Sequence, residues 1–156
     1  MAYQKTWAAS HRTKAATGYR SKPEVILAQL LTEQGVEFLY EQIRIPYLSP
    51  ATYIPDFPLP QQAILIEVKG AFDAADRTKL LRVKRDHPDL DIRLLFTNPN
   101  TRLSSKSKTT YGAWCDKHGF PFAKGPAAPS EWLVHVPSPV QREAFQRLLN
   151  GSQKED

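Results

Sequence analysis

The sequence has little cysteine and no long apolar run. One of its 156 residues is a cysteine, Cys115, so an intrachain disulfide is excluded and a reducing compartment is indicated. No apolar run approaches the roughly 20 residues of a membrane-spanning helix, and the polar N-terminus lacks the apolar segment of a secretory signal. Glycine-rich phosphate loops and the Gly-x-Ser-x-Gly motif are also missing. We therefore expect a cytoplasmic protein without a membrane partner.

Both signs of charge are present, but they are separated along the chain. The net charge is +5. Residues 1–22 carry five basic side chains and no acid, residues 23–76 carry eight acids against two bases, and residues 77–108 carry nine bases against three acids. A single basic segment is more often a solvated helix face than a binding site. Two of them around an acidic block favour a metal-dependent enzyme that acts on a nucleic acid.

The apolar spacing predicts an α/β domain with a mixed sheet flanked by helices. Residues 1–20 lack apolar periodicity, so we expect a flexible basic arm before a single domain over 21–156. Helices are predicted where helical spacing runs between capping and stop residues, at 21–35, 73–87, 111–119 and 140–151. Strands are predicted over 36–49, with a change of phase at Glu41-Gln42, near 52–57, and at 63–70 and 91–97. Residues 120–129 are expected to be irregular.

The stretch "PDFPLPQQAILIEVKG", residues 55–70, carries the candidate chemistry. Residues two apart in a strand point to one face, so Glu67 and Lys69 share a face. Asp56 comes alongside Glu67 if the segment near 52–57 pairs with this strand. Two close carboxylates repel unless a cation lies between them, and oxygen ligands suit Mg²⁺ or Mn²⁺. The Val68 carbonyl is a further candidate ligand. The alternative, an ordinary ion pair between Glu67 and Lys69, is favoured by the E-x-K spacing alone.

Longer motifs help to distinguish a metal site from an ordinary ion pair. The spacing P-D-x10-E-V-K resembles the PD-(D/E)xK nuclease motif. Further stretches resemble the phage endonuclease I family, the Holliday-junction resolvases of T-seven-like phages. In chain order these stretches are "YRSKPEV", "VEFLYEQIRIPY", "YIPDFPLP", "IEVKG", "DRTKLLRVKRDHPDLDIRLLF" and "TTYGAWCDKHGF". They cover most of residues 19–122, so the resemblance is more specific than the nuclease motif alone.

The resemblance implies the fold, the assembly and the catalytic residues. It implies a restriction-endonuclease-like core in a domain-swapped homodimer, with residues 21–45 exchanged through a bridge near 46–60. The implied catalytic residues are Glu24, Asp56, Glu67 and Lys69. Asp56, Glu67 and the Val68 carbonyl would hold Mg²⁺ or Mn²⁺, with two ions in each active site. From the sequence alone, Glu24 is better explained as the partner of an N-cap at Ser21 in a capping box.

Basic and hydroxyl side chains that follow the candidate site are predicted to contact DNA phosphates. Three lie on the helix after it and three in the loop near residue 106. They are Arg77, Lys79, Arg82, Lys106, Lys108 and Thr109. Contacts of this kind select the shape of DNA rather than its base sequence.

The leading hypothesis is a metal-dependent, structure-selective DNA endonuclease that cuts opposing strands of four-way junctions and other branched DNA. It would act inside the bacterial host cell if a phage or prophage encodes it. One alternative is a nuclease of the same fold with another DNA substrate, of the restriction or recombination type. The other is a DNA-binding relative that has lost catalysis, against which the intact Asp56, Glu67 and Lys69 argue.

Overall fold

The protein has a mixed α/β architecture, in which helices flank a mixed sheet, as predicted. The computed structural model describes residues 18–47 and 51–152. Most of the expected arm, residues 1–17, and part of the expected bridge, residues 48–50, lie outside the described residues. The elements in chain order are α1 (Lys22–Glu33), β1 (Ile45–Tyr47), β2 (Ala51–Tyr53), β3 (Phe57–Leu59), β4 (Ile64–Lys69), α2 (Ala74–Asp86), β5 (Asp91–Phe96), α3 (Tyr111–His118), β6 (Phe122–Lys124), α4 (Ser130–Leu133) and α5 (Pro139–Ser152).

The main sheet has the strand order β3-β4-β5-β6. β3 runs antiparallel to β4, with Phe57 opposite Ile66, whereas β5 and β6 add in parallel. β1 and β2 form a separate antiparallel pair in which Ile45 lies opposite Tyr53. The first four residues of β4, Ile64–Glu67, are buried, because helices cover both faces of the sheet.

Two apolar clusters, one on each face of the sheet, make up the core. One contains Leu65 of β4 with residues of α2, α3 and α5, including Val83, Trp114 and Phe145. The other contains Ile64 and Ile66 of β4 with residues of α1 and α4, namely Leu27, Leu31, Trp132 and Leu133. The central strand is therefore held from both sides, and its C-terminal end is a rigid position for functional side chains.

The helix boundaries follow the local signals in the sequence. Ser21 caps α1, where its hydroxyl accepts a hydrogen bond from the Glu24 N–H, and Asp73 caps α2. Gly119 ends α3 in the left-handed region, at φ 71°, a conformation that glycine adopts without steric cost. In the described residues no helix is both long and apolar enough to cross a membrane.

The strand predictions were wrong at three places. The strand expected near 52–57 is interrupted at 54–56, so that β2 ends at Tyr53 and pairs with β1, whereas β3 begins at Phe57 and pairs with β4. The alternating stretch 36–44 forms no strand, although the N–H groups of Leu39 and Glu41 donate to the carbonyls of Pro58 and Asp56 along the edge of β3. Glu41 adopts a positive φ of 50°, which explains the change of phase at this position. The segment expected to be irregular contains β6, which is only three residues long and pairs with β5.

Candidate active site

The end of β4 brings an acid and a base together on one face. Lys69 Nζ lies 3.1 Å from Glu67 Oε1, as the strand alternation predicts. Glu67 is 3% exposed, and its second oxygen, Oε2, accepts a hydrogen bond from the Tyr53 hydroxyl at 2.6 Å. Each oxygen of this buried carboxylate thus has a defined partner, and Oε1 is the one that faces Lys69.

Asp56 lies beside this pair because β3 begins at the next residue. Phe57 lies opposite Ile66 in the antiparallel pair, so the residue before β3, Asp56, comes next to the following residue of β4, Glu67. Asp56 Oδ2 accepts a hydrogen bond from the Val68 N–H at 2.8 Å. The N–H and C=O of one strand residue point to the same side, so the Val68 carbonyl also points toward Asp56. The structure therefore brings together the three predicted ligand residues.

Burial and negative charge perturb the Asp56 carboxyl. Burial, and after it the charge of Glu67, raises the pKa of Asp56 to about 8. The charge of Glu24 raises it further, whereas the Val68 N–H and Lys69 lower it. Asp56 therefore lies within electrostatic reach of both other predicted acids, Glu67 and Glu24. This is expected of a metal ligand that lies near two other carboxylates.

Glu24 is buried at the start of α1, and two hydrogen bonds hold its carboxylate in place. Its Oε2 accepts from the Tyr40 hydroxyl at 2.6 Å and from the Arg20 N–H at 2.8 Å. The Glu24 N–H donates to Ser21 Oγ at 3.4 Å. The backbone of Glu24 therefore takes part in the helix cap. Its carboxylate lies close enough to Asp56 to raise the pKa of that residue.

A fourth acid, Glu41, borders the same site, and sequence reasoning missed it. Its N–H donates to the Asp56 carbonyl at 3.2 Å, and its side chain pairs with Arg20 NH2 at 3.1 Å. Burial raises the pKa of Glu41, and the charges of Glu24 and Glu67 raise it further, against the lowering effect of Arg20. The break in the alternating pattern at this residue was the available signal.

Lys69 has a second acidic partner, Asp76 of α2, which was also missed. The Lys69 Nζ–Asp76 Oδ1 distance is 3.0 Å. Burial alone lowers the pKa of Lys69, but the charge of Glu67 and the hydrogen bond to Asp76 outweigh it and hold the pKa above its usual range. The contacts with Glu67 and Asp76 thus favour the charged form of Lys69.

The composition of the site suits a hard divalent cation. Five carboxylates, on Glu24, Glu41, Asp56, Glu67 and Asp76, surround it in the described part of the chain. In the described ranges no three acidic, histidine or cysteine side chains form a ready-made metal cluster. Mg²⁺ needs no such cluster, since it binds through one or two carboxylates together with water and substrate phosphates. Asp56, Glu67 and the Val68 carbonyl fit this requirement.

The predicted DNA contacts divide into two groups. On α2, the Arg77 guanidinium donates to the Phe72 carbonyl, and Lys79 Nζ lies 3.6 Å from Asp76 Oδ1. Arg82, also on α2, is exposed. In the loop before α3, Lys106 and Lys108 are exposed and Thr109 is half-buried. The loop side chains are thus accessible to a phosphate backbone, whereas Arg77 and Lys79 also bind within the protein.

Comparison with known proteins identifies the family of the chain. The profile of the family described as phage endonuclease I matches residues 1–153 of the chain. The chain belongs to the phage endonuclease I family. It is 40% identical over 133 residues to Endonuclease I of Escherichia phage T7, an alignment that covers 83% of this chain and 86% of that protein. It is 44% identical over 115 residues to Endodeoxyribonuclease 1 of Enterobacteria phage T3, covering 72% of this chain and 75% of that protein.

Membership of this family makes the chain an endonuclease. The alignments also explain why the motifs extended so far beyond the nuclease signature. The residues that the resemblance selected, Glu24, Asp56, Glu67 and Lys69, are among those that the fold brings together near the C-terminal end of β4. Their individual roles remain predictions.

Proposed function

We propose that the protein is a metal-dependent, structure-selective DNA endonuclease that resolves four-way junctions by cutting opposing strands. It would act as a homodimer with a restriction-endonuclease-like core, inside the cell that a phage infects. The observation that carries this proposal is the oxygen set of Asp56, Glu67 and Val68 beside Lys69, which is held as a cation. The names of the relatives, an endonuclease and an endodeoxyribonuclease, support DNA as the substrate.

Two Mg²⁺ or Mn²⁺ ions in each active site are part of the proposal. Asp56, Glu67 and the Val68 carbonyl would hold one ion, and Asp56 with Glu24 would border the other. The effect of Glu24 on the pKa of Asp56 supports this arrangement, because it places the two acids within electrostatic reach. When bound, such ions polarise a phosphoryl oxygen and lower the pKa of a coordinated water.

The protein side chains would position and stabilise charge around the scissile phosphate. Lys69 remains protonated and donates hydrogen bonds to the additional negative charge that develops on the phosphate oxygens. Tyr53 fixes the orientation of Glu67 through its 2.6 Å hydrogen bond. Tyr40 does the same for Glu24. Each hydroxyl thus orients an acid before the substrate arrives, which lowers the reorganisation that the reaction requires.

Shape selection would come from the phosphate backbone. Lys106 and Lys108 extend from a loop that is closed by the pairing of Arg102 with Thr110 and by the Leu103 N–H bond to the Thr109 carbonyl. A closed loop with exposed cations contacts phosphates at a fixed spacing but does not read base edges. This supports recognition of branched DNA by its geometry.

Cutting two opposing strands of one junction requires two active sites, which a homodimer supplies. We propose that the two chains exchange residues 21–45, so that Glu24 of one chain completes the site of the other. The described chain packs α1 on β3 and β4 through Leu27, Leu31 and Phe57. The same contacts would form between two chains in an exchanged dimer, and the prolines of the link, Pro46 and Pro55 among them, would stiffen the connection between α1 and β3.

The alternatives are less well supported. A sequence-specific nuclease of the same fold needs elements that read base edges, and the described residues outside the core form loops between the elements and no additional domain. A relative without catalysis would not need to keep Lys69 in contact with Glu67 and Asp56 bonded to the backbone of Val68 between them.

Cleavage of a four-way junction and of its matched linear duplex tests the proposal. The protein is incubated with each DNA in Mg²⁺ or in EDTA, with the Asp56→Ala variant as a control for contaminating nucleases. We expect paired cuts on opposing strands of the junction in Mg²⁺, little cleavage of the duplex, and none in EDTA. Equal cleavage of both DNAs would favour the alternative nuclease, and binding without cleavage would favour the inactive relative.

A further inference from the structure

Lys69 is held by carboxylates that come from two separate elements. Its Nζ lies 3.1 Å from Glu67 Oε1 on β4 and 3.0 Å from Asp76 Oδ1 on α2. Asp76 lies in the first turn of α2, where its N–H donates to the capping carboxylate of Asp73 at 2.8 Å. The start of the helix therefore sets the position of the Asp76 carboxylate, independently of the end of β4.

Of the two oxygens of Glu67, Oε1 is the one that already faces a cation. Tyr53 donates its hydroxyl hydrogen to Glu67 Oε2 at 2.6 Å in the interior of the protein. The other oxygen, Oε1, is the one that Lys69 contacts. A divalent ion that bound Glu67 through Oε1 would compete with Lys69 for that oxygen and weaken the ion pair between Glu67 and Lys69. Asp76 is the second carboxylate that can then hold Lys69 in place.

We propose that Asp76 is a positioning residue that anchors Lys69 when a divalent ion takes over Glu67 Oε1. This inference rests on the metal-dependent function proposed above. In the absence of the Asp76 charge, Lys69 pairs with Glu67 alone and competes with the ion for the same oxygen. Asp76 therefore acts through Lys69, both by favouring the ion and by keeping the ammonium group next to the scissile phosphate.

A second ammonium group, that of Lys79, also lies near the Asp76 carboxylate. Lys79 Nζ lies 3.6 Å from Asp76 Oδ1 and 5.6 Å from the centre of the Tyr53 ring. Tyr53, Glu67, Lys69, Asp76 and Lys79 thus form a closed ring of contacts around the end of β4. With two ammonium groups against it, Asp76 is a poor ligand for a second ion, so its contribution is made through its neighbours.

The binding of Mn²⁺ to the DNA-free protein, measured by isothermal titration calorimetry, tests the inference. The proteins compared are the wild type, Asp76→Asn, Lys69→Met and the double variant. We expect Asp76→Asn to weaken Mn²⁺ binding about tenfold, as the loss of a residue that orients metal ligands does. In the Lys69→Met background the same substitution should change the affinity less than about twofold, because the competing ammonium group is gone.

The double variant distinguishes the anchoring of Lys69 by Asp76 from a direct attraction between the Asp76 carboxylate and the ion. Equal weakening by Asp76→Asn with and without Lys69 would mean that Asp76 attracts the ion directly, and would overturn the inference. An unchanged affinity in Asp76→Asn would overturn it too. Failure of the wild type to bind Mn²⁺ would instead overturn the proposed metal site, and the inference with it. Asp116→Asn, an exposed acid on α3, is the matched control.

Cleavage kinetics supply a second readout. Single-turnover cleavage of a junction by Asp76→Asn at saturating Mn²⁺ should be about 10²-fold slower, with an unchanged dissociation constant for the junction. Asp76→Glu, which retains the carboxylate, should recover most of the rate. A rate equal to that of the wild type in Asp76→Asn would contradict the anchoring of Lys69. If Asp76→Asn does not fold, Asp76→Ser is used in both experiments, since serine is well tolerated in a first helical turn.

Discussion

Asp56 Oδ2 accepts a hydrogen bond from the Val68 N–H at 2.8 Å, so the loop acid is attached to the strand that carries the other catalytic candidates. The bond extends the antiparallel pairing of β3 with β4 by one side-chain contact. It turns the Val68 carbonyl to the same edge of the sheet. One local contact thereby holds the Asp56 carboxylate beside the end of β4, where Glu67 and Lys69 also lie.

The first prediction concerns the residues at the end of β4. Asp56→Ala, Glu67→Ala and Lys69→Ala should each lower the cleavage rate by about 10²–10³-fold or more, because they remove metal ligands or a charge next to the phosphate. Junction binding should remain within about threefold, since affinity comes from distributed phosphate contacts. Gel-based cleavage and gel-shift titrations measure the two quantities. Glu143→Ala, an exposed acid of α5, is the control. Near-normal cleavage by Asp56→Ala at saturating Mg²⁺ would exclude Asp56 as a ligand.

The second prediction compares the effects on cleavage of removing the Glu24 carboxylate and of removing its hydrogen-bond donor, the Tyr40 hydroxyl. Glu24→Gln should remove most cleavage, because it removes a charge next to Asp56. Tyr40→Phe removes one hydroxyl, which donates to Glu24 Oε2 at 2.6 Å, and should slow cleavage by about tenfold. Tyr111→Phe removes a buried hydroxyl outside the site, where it accepts from the Phe72 N–H, and should not affect the rate of the chemical step. Single-turnover rates distinguish the three variants, and a fully active Glu24→Gln would restrict Glu24 to capping α1.

The parts of the site that the sequence predicted depend on local rules. Strand alternation placed Glu67 and Lys69 on one face, and the pairing of neighbouring segments placed Asp56 beside them. Helix caps at Ser21 and Asp73 follow from residue type and spacing in the same way. The family resemblance supported a catalytic role for all four residues. For Glu24 it was the only indication of a place in the site, since the position of Glu24 in the sequence also suits a helix cap.

The parts that were missed depend on contacts between distant segments. Tyr53, Tyr40 and Asp76 each complete a carboxylate or ammonium contact across separate elements, and no periodicity indicates such a contact. Glu41 breaks the alternation of its segment, but its place beside Asp56 depends on a positive φ and a hydrogen bond to the edge of β3. β6 is short and lies among prolines, so its pairing with β5 has no local signal either.

The third prediction is a dependence of stability on pH in the absence of metal. The pKa of Asp56 is raised in the folded protein from its ordinary value of 3.8 to about 8. Between these values the folded protein holds a proton that the unfolded chain has released, so the stability contributed by this group falls as the pH rises. The slope reaches at most about 1.4 kcal/mol per pH unit for one proton.

Urea unfolding in EDTA at pH 5.5 and pH 8 measures this effect. The free energy of unfolding of the wild type should fall toward pH 8 more than that of Asp56→Asn, whose amide mimics the protonated acid and can still accept from the Val68 N–H. Mg²⁺ should restore the wild type at pH 8, because it compensates the charge. Parallel pH profiles for the two proteins would show that Asp56 ionises normally.

The fourth prediction concerns the salt dependence of junction binding. Lys106→Ala and Lys108→Ala should each lower the slope of log K against log salt by roughly 0.9, the value for one lost phosphate contact. Arg77→Ala and Lys79→Ala should change the slope too, but with a loss of thermal stability, because these side chains also bind Phe72 and Asp76. Arg147→Ala, an exposed residue of α5, is the control. Unchanged slopes in both loop variants would place the DNA surface elsewhere.

The last prediction is that the active sites are shared between two chains. One chain carries Glu24→Ala and the other Asp56→Ala, and each variant is inactive as a homodimer. If residues 21–45 are exchanged, one site of the mixed dimer collects both lesions and the other is wild type. The mixed dimer should then nick one strand of a junction without resolving it. If each chain builds its own site, both sites carry one lesion and no nick appears. The exchange of subunits is verified with a size tag on one chain, so that the absence of nicking in a purified mixed dimer rules out the shared site.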